Sequence, residues 1–233
     1  MKTLVDREGL IFSPPQLGCV LYLPGLPGGA SKIYDRSLCG NHGTITGATW
    51  IQLPSGVWCL SFDGQDDFVD CGVATALNFT SEDFTVKLWV CRDTSGDAGL
   101  ITRGQYKVDG WMLATQNQNK LDFRTFQSNE QQVQIGSTVL SDGAWYHVVV
   151  SRSGSSATLY LNGKDDTGTP VSLTDPTGNA NRTLRLASQT GGPNSPDWPL
   201  AGDLALAAIY NRAWTALDVQ NNFNQEKHLF GVW

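Results

Sequence analysis

Arg103, Tyr106, Trp111, Gln116 and Arg124 lie on consecutive alternating stretches of the chain. Their types suit one kind of chemistry. Aromatic rings offer flat apolar faces, and guanidinium and carboxamide groups offer planar hydrogen-bonding edges. Gathered on one face, such groups recognise a polyhydroxylated ligand without transforming it. Trp198 extends the set from Gly191-Gly192-Pro193-Asn194-Ser195-Pro196-Asp197-Trp198-Pro199, a segment whose prolines pre-order it and so lower the entropy lost on binding. Each tryptophan also has a packing reading, because large aromatics are mostly buried: Trp111 as a cover for the core, Trp198 as the staple of its own loop.

Reactive chemistry finds less to work with. Asp63, Asp66 and Asp67 cluster, but in a turn-like stretch where Asx side chains hold their own backbone. Glutamate occurs only at 8, 82, 130 and 226, never mid-strand with an acidic partner two residues away. There is no G-x-S-x-G elbow and no H-E-x-x-H, and Gly163-Lys164 is followed by Asp165 rather than Ser or Thr. His147 belongs to a strand, His42 to a loop and His228 to the end of a helix. The five cysteines (19, 39, 59, 71 and 91) show no C-x-x-C spacing, and Cys59 and Cys91 sit in apolar runs, so they read as reduced structural thiols. The expectation is a protein that is not an enzyme.

The elements that must position these side chains are strands. At 233 residues, with 40% hydrophobic and 16% charged, the chain can bury a large core as one all-β unit. Strands are predicted at 19–23, 44–50, 57–62, 67–71, 83–92, 99–103, 110–116, 120–126, 132–136, 144–152, 157–162, 183–188 and 203–211. Within 144–152, Trp145, His147 and Val149 share one face while Tyr146, Val148 and Val150 share the other. Asn162-Gly163 then supplies the two positive-φ positions of a type I′ turn. In 83–92 the second face carries Lys87, Trp89 and Cys91, and polar groups recur at Arg124 and Arg185, which predicts one sheet with polar and aromatic groups outward. Thr215-Ala216-Leu217-Asp218 is a capping box opening one helix over 216–228. Short strands with a single late helix mean a two-sheet antiparallel sandwich. Residues 1–18, charged and then Ser13-Pro14-Pro15, read as an extended arm, either loose or docked on a neighbouring subunit in a homo-oligomer.

Three stretches resemble a known family. Asp142 to Val150 with Leu159-Tyr160-Leu161-Asn162-Gly163-Lys164 resembles the central hairpin of laminin-G-like, concanavalin-A-type jelly rolls. Leu60 to Val69, followed by Asp83 to Val90, looks like a second signature of that family. Leu200 to Leu204 through Ile209-Tyr210-Asn211-Arg212-Ala213-Trp214 is similar to its closing strand and turn. The resemblance spans 19–226 and implies an all-β jelly roll of two stacked sheets, one concave, with binding on the concave face or rim loops.

The resemblance also sets expectations about ligands. Tyr34 to Gly43 is similar to an early loop that in relatives helps hold calcium, so Asp35, Asn41 and, further along, Asp203 are the residues that could contribute oxygens to a structural Ca2+. Glycosidases of this fold use an E-x-D-x-E strand that this chain lacks. What remains is a non-enzymatic recognition and display module. The setting expected is a virion surface, as a capsid decoration or appendage, because the opening MKTLVDREGL does not read as a signal peptide. The alternative is a carbohydrate-binding or adhesion module of a secreted protein. Partners would be a glycan or protein surface, or a capsid lattice. With net charge −6 and no basic stripe, nucleic acid is not expected, and no apolar run has the length for membrane insertion.

Overall fold

The computed structural model describes residues 17–25, 29, 31–116, 118–189 and 197–233, together with the backbone of 4–5 and 11–12. In chain order the strands begin with β1 (Leu4–Val5), β2 (Ile11–Phe12), β3 (Cys19–Leu23), β4 (Lys32–Ile33), β5 (Gly43–Thr46) and β6 (Thr49–Gln52). They continue with β7 (Trp58–Asp63), β8 (Phe68–Asp70), β9 (Phe84–Arg92), β10 (Ala98–Gln105), β11 (Asp109–Gln116) and β12 (Lys120–Gln127). The last are β13 (Glu130–Val139), β14 (Trp145–Ser153), β15 (Ser156–Leu161), β16 (Lys164–Asp165), β17 (Arg185–Leu186) and β18 (Ala201–Tyr210), followed by helix α1 (Ala216–Glu226).

Two antiparallel sheets carry the molecule. The front sheet runs β13-β12-β11-β10-β17-β8-β5-β4, and the back sheet runs β16-β15-β14-β9-β18-β7-β6. β3 pairs with the second half of β18, beyond the stretch where β18 pairs with β7. Of the predicted arm, the described part is the β1–β2 ladder and residues 17–18; its docking lies outside the described residues.

The core fills the space between the sheets. Trp111, Leu113, Leu121 and Phe123 from the front meet Val86, Leu88, Val148 and Val150 from the back. Phe84 packs against Phe79, Trp111 and Phe123 with ring centroids 4.6, 5.2 and 6.0 Å apart. Alternation predicts this for β14, whose Val148 and Val150 face the core while Trp145 and His147 face outward.

Two sequence expectations are corrected. The predicted strand 44–50 is two strands on different sheets: Gly47, at φ +74°, turns the chain between β5 in front and β6 behind. A Cβ at Gly47 would strike Asp67, so only glycine fits this close approach. The polar faces of β9 and β12 also belong to different sheets. Lys87 and Trp89 lie outward on the back sheet, whereas Arg124 and Arg185 lie outward on the front.

The back face is closed by the C-terminal segment. Thr215 and Asp218 form the predicted capping box, and α1 lays Val219, Asn222 and Phe223 on the sheet. Phe223 and Phe230 stack on Trp89, with centroids 6.0 and 4.1 Å away. Among the described residues no helix is long and apolar enough to cross a membrane.

All five cysteines are free thiols. Burial, with nearby carboxylates adding to it, pushes Cys19 and Cys59 up to about 12 and Cys91 to about 11, and raises Cys71 as well. Only Cys39 is exposed. Brief treatment of the native protein with iodoacetamide at pH 8 should therefore modify one cysteine, Cys39, and peptide mass mapping should find the buried three unmodified.

Candidate functional site

The outward face of the front sheet is built by the register of β10 to β13. Met112 lies opposite Arg124 and Thr102, and Ala114 lies opposite Asp122. On the far side Arg124 faces Val133, Asp122 faces Ile135 and Phe126 faces Gln131. Directly opposed residues of an antiparallel pair project to the same side. These rows therefore form one layer of apolar, amide and charged side chains, in which Met112, Ala114, Asp122, Arg124 and Phe126 are buried and Gln131, Val133 and Ile135 are half-buried.

Its centre is a locked arginine. Arg124 Nε and Nη2 donate to the two oxygens of Asp122 at 2.6 and 2.7 Å, and Nη1 donates to Gln131 Oε1 at 3.2 Å. The pair is almost fully buried, and such fork geometry fixes the guanidinium plane. The Trp198 indole lies over that plane at 5.4 Å and packs on Met112, Ala114 and Phe126.

Trp198 reaches this place through an uncommon backbone. Its φ is +56°, a left-handed conformation that costs a non-glycine residue on the order of 1–3 kcal/mol. The segment is pinned on both sides: Gly99 N donates to Trp198 O at 2.9 Å, and Gln189 N donates to Asp197 O at 2.7 Å. The half-buried indole is thus held on the sheet by main-chain bonds and by the arginine beneath it.

The other expected ligand residues divide by face. Tyr106, 46% exposed in the β10–β11 turn, sets its ring edge-on to Phe126 at 6.1 Å. Gln116 ends the same outward row of β11 and donates to Asp97 Oδ2 at 2.8 Å. Tyr106, Gln116, Arg124 and Trp198 therefore belong to one face. Arg103 and Trp111 do not. They oppose each other across β10–β11 and point inward; Trp111 is fully buried in the core, and Arg103 donates to the carbonyls of Ala74 and Asn179. Both are corrected from ligand contacts to packing residues, because the register puts them on the inner row.

The expected calcium residues do not converge. Asp35 Oδ1 accepts from the amides of Tyr22 and Ser37, and Oδ2 accepts from Ser37 Oγ and Asn41 N, all at 2.7–2.8 Å. Asn41 Nδ2 donates to Val20 O. A cation there would meet donors rather than free oxygens. Asp203 pairs with Ser61 and Cys91 near the start of β18, whereas Tyr22, beside Asp35, pairs with Ala208, roughly 16 Å further along the strand. These three residues do not fit calcium. Asp63 and Asp67 likewise hold their own turn, through Asp63 N to Asp67 Oδ2 and Gln65 N to Asp63 Oδ1.

Beside the central patch the same face opens into a cleft of about 710 Å3, lined by Lys120, Val133, Ile135, Ser137, Thr167 and Val171. The 166–168 segment borders β13, with Gly168 N donating to Ile135 O and Ser137 N to Asp166 O. Sequence reasoning missed Asp122, Gln131 and this cleft. Asp122 and Lys120 were within reach of it, being two and four residues before Arg124 on an alternating strand.

Residues 63–220 match the family model described as the concanavalin A-like lectin/glucanases superfamily, laminin G type. The chain belongs to that superfamily. No match was found among curated proteins. Among solved structures this superfamily member is similar to the binding domain of a paraclostridial mosquitocidal protein, at 20% identity and TM-score 0.69, covering 92% of this chain and 55% of that one. It is also similar to domain 4 of AbnA, an extracellular GH43 arabinanase from Geobacillus stearothermophilus, solved with arabinotriose: 18% identity, TM-score 0.68, 87% of this chain and 97% of that one. A Trypanosoma rangeli sialidase matches at 16% identity and TM-score 0.67, covering 93% of this chain and 34% of the enzyme. The chain thus spans about half of the mosquitocidal domain and a third of the sialidase. At these identities the likeness is one of fold, and that fold is a lectin-like sandwich.

Proposed function

We propose that this superfamily member is a non-enzymatic carbohydrate-recognition module whose ligand face is the outward side of the front sheet. The observation that carries the reading is Trp198, held at an unfavourable φ over a guanidinium already fixed by Asp122 and Gln131. Recognition of a sugar needs a rigid aromatic plane beside planar hydrogen-bonding groups, and pre-organisation of that plane lowers the cost of binding. Tyr106 supplies a second ring on the same face.

A non-catalytic role agrees with how the carboxylates are used. Both oxygens of Asp122 are bound by Arg124, Glu82 accepts from Thr80, and Glu226, at the end of the back-face helix, accepts from Lys87 and Trp89. The virion-surface setting expected from the sequence would present this face outward on a particle; the glycan-binding reading does not depend on it. A neighbouring fold solved with arabinotriose supports the ligand class.

The test is Trp198→Ala on a glycan array followed by titration of the hits, arabinotriose included. Affinity should fall at least about tenfold, with circular dichroism and melting behaviour preserved. Unchanged affinity in the variant would overturn the assignment of this face.

A further inference from the structure

Charge is distributed unevenly along this face. At the Trp198 end the guanidinium of Arg124 lies against both oxygens of Asp122. Arg185, on the same side of the sheet, lies 3.6 Å from Asp70 and over the Phe68 ring. The charge of each of these arginines is already answered by a carboxylate.

Lys120 differs. It occupies the same outward row of β12 as Asp122 and Arg124, about 13 Å along the strand from Arg124. It forms no ion pair among the described residues. It is half-buried and lines the cleft together with Val133, Ile135, Ser137 and Thr167, whose Oγ1 is held by Leu159. Val133 and Ile135 oppose Arg124 and Asp122 across β12–β13, so the cleft borders the ion pair on which Trp198 sits.

We propose that the cleft is an acidic-sugar subsite: the ligand is an oligosaccharide that stacks one ring on Trp198 and places the carboxylate of another unit against Lys120. This rests on the glycan-binding reading above. Val133 and Ile135 carry the lysine stem and the C–H faces of the sugar, and the ammonium forms a charge-assisted bond stronger than a neutral one. In a chain of net charge −6, an anion is drawn to a local, unanswered cation rather than to the surface at large. The spacing between Trp198 and Lys120 sets the polarity of the bound chain, with the acidic unit beyond the stacked one.

The probes are short galacturonic acid oligomers and sialyllactose, each titrated beside its methyl ester, with arabinotriose as a neutral reference. The native acids should bind at least about tenfold more tightly than their esters, and added salt should narrow the gap. Lys120→Met keeps the stem and removes the charge; it should bring the acids down to the affinity of the esters. Acids and esters bound alike, a preference that survives Lys120→Met, or binding confined to arabinotriose would each overturn the subsite and leave the glycan-binding face standing. Failure of every sugar on the array would overturn that reading itself.

Discussion

Replacing Glu226 by alanine should destabilise the protein by about 3–5 kcal/mol, the cost typical of removing one partner from a buried ion pair. Glu226 ends α1 and reaches down through the back face. Its Oε1 accepts from Lys87 Nζ at 2.5 Å and its Oε2 from Trp89 Nε1 at 2.7 Å. Lys87 is only 1% exposed. With the carboxylate gone, a buried ammonium and an indole N–H lose their acceptors together, and Asn222 Nδ2 loses a third bond. For a domain of this size the melting temperature should fall by roughly 6–20 °C. A double change, Lys87→Met with Glu226→Leu, removes both charges and should recover much of the loss. If Glu226→Ala alone melts within a degree or two of the parent, the helix is not held by this clasp.

The second large effect is a loss of stability in acid. His147 is fully buried beside the clasp, with Nε2 2.9 Å from Asn222 Oδ1. Burial, with a smaller contribution from the Lys87 charge and against the pull of Glu226, lowers its pKa to about 4. The unfolded chain takes up this proton near pH 6.5, whereas the folded one resists until about pH 4. Stability from this group is therefore complete above pH 6.5 and declines as the pH falls toward 4, by roughly 3 kcal/mol in total. Glu226 acts in the same direction at lower pH. Burial would raise its pKa, but the Lys87 charge and the hydrogen bonds from Lys87 and Trp89 bring it below the usual carboxylate value. Its contribution is present above the ordinary glutamate range and disappears as the pH falls through the depressed value. Urea unfolding followed by tryptophan fluorescence between pH 7 and pH 4 should show the decline. In His147→Gln, which keeps a donor for Asn222 without a titrating group, the slope between pH 6.5 and 4 should flatten. An unchanged slope would assign the acid sensitivity elsewhere.

Much of the fold was legible before any coordinates. Alternation in β14, Asn162-Gly163 at φ +49° and +77°, and the Thr215–Asp218 capping box are local signals, and each formed as read. They depend on a few neighbouring residues, whose backbone preferences survive in any context. Where a strand break rested on one glycine, as at Gly47, the apolar pattern ran through it and the break was missed; what decided it was the approach of Asp67, from the turn between β7 and β8.

The candidate site was legible in composition and only partly in place. Tyr106, Gln116, Arg124 and Trp198 share the front face, yet Arg103 and Trp111 had been grouped with them. Alternation assigns residues to one of two faces within a strand but does not say which is inner when both carry apolar and polar groups. That choice follows from register, since pairing Arg103 with Trp111 and Met112 with Arg124 sends the first pair into the core and the second outward. The same holds for the two polar faces: nothing local distinguishes Lys87 from Arg124. A helix arriving from the end of the chain covers one, while the other stays with the half-exposed Trp198. By itself, the sequence determined most of the longer strands, the Asn162-Gly163 turn, the capped helix and the superfamily, because these rest on short-range backbone preference and side-chain period. Only the tertiary structure decided which polar face the helix covered and which carries the candidate site, because that depends on pairing between residues far apart in the chain, whose energies no local pattern contains.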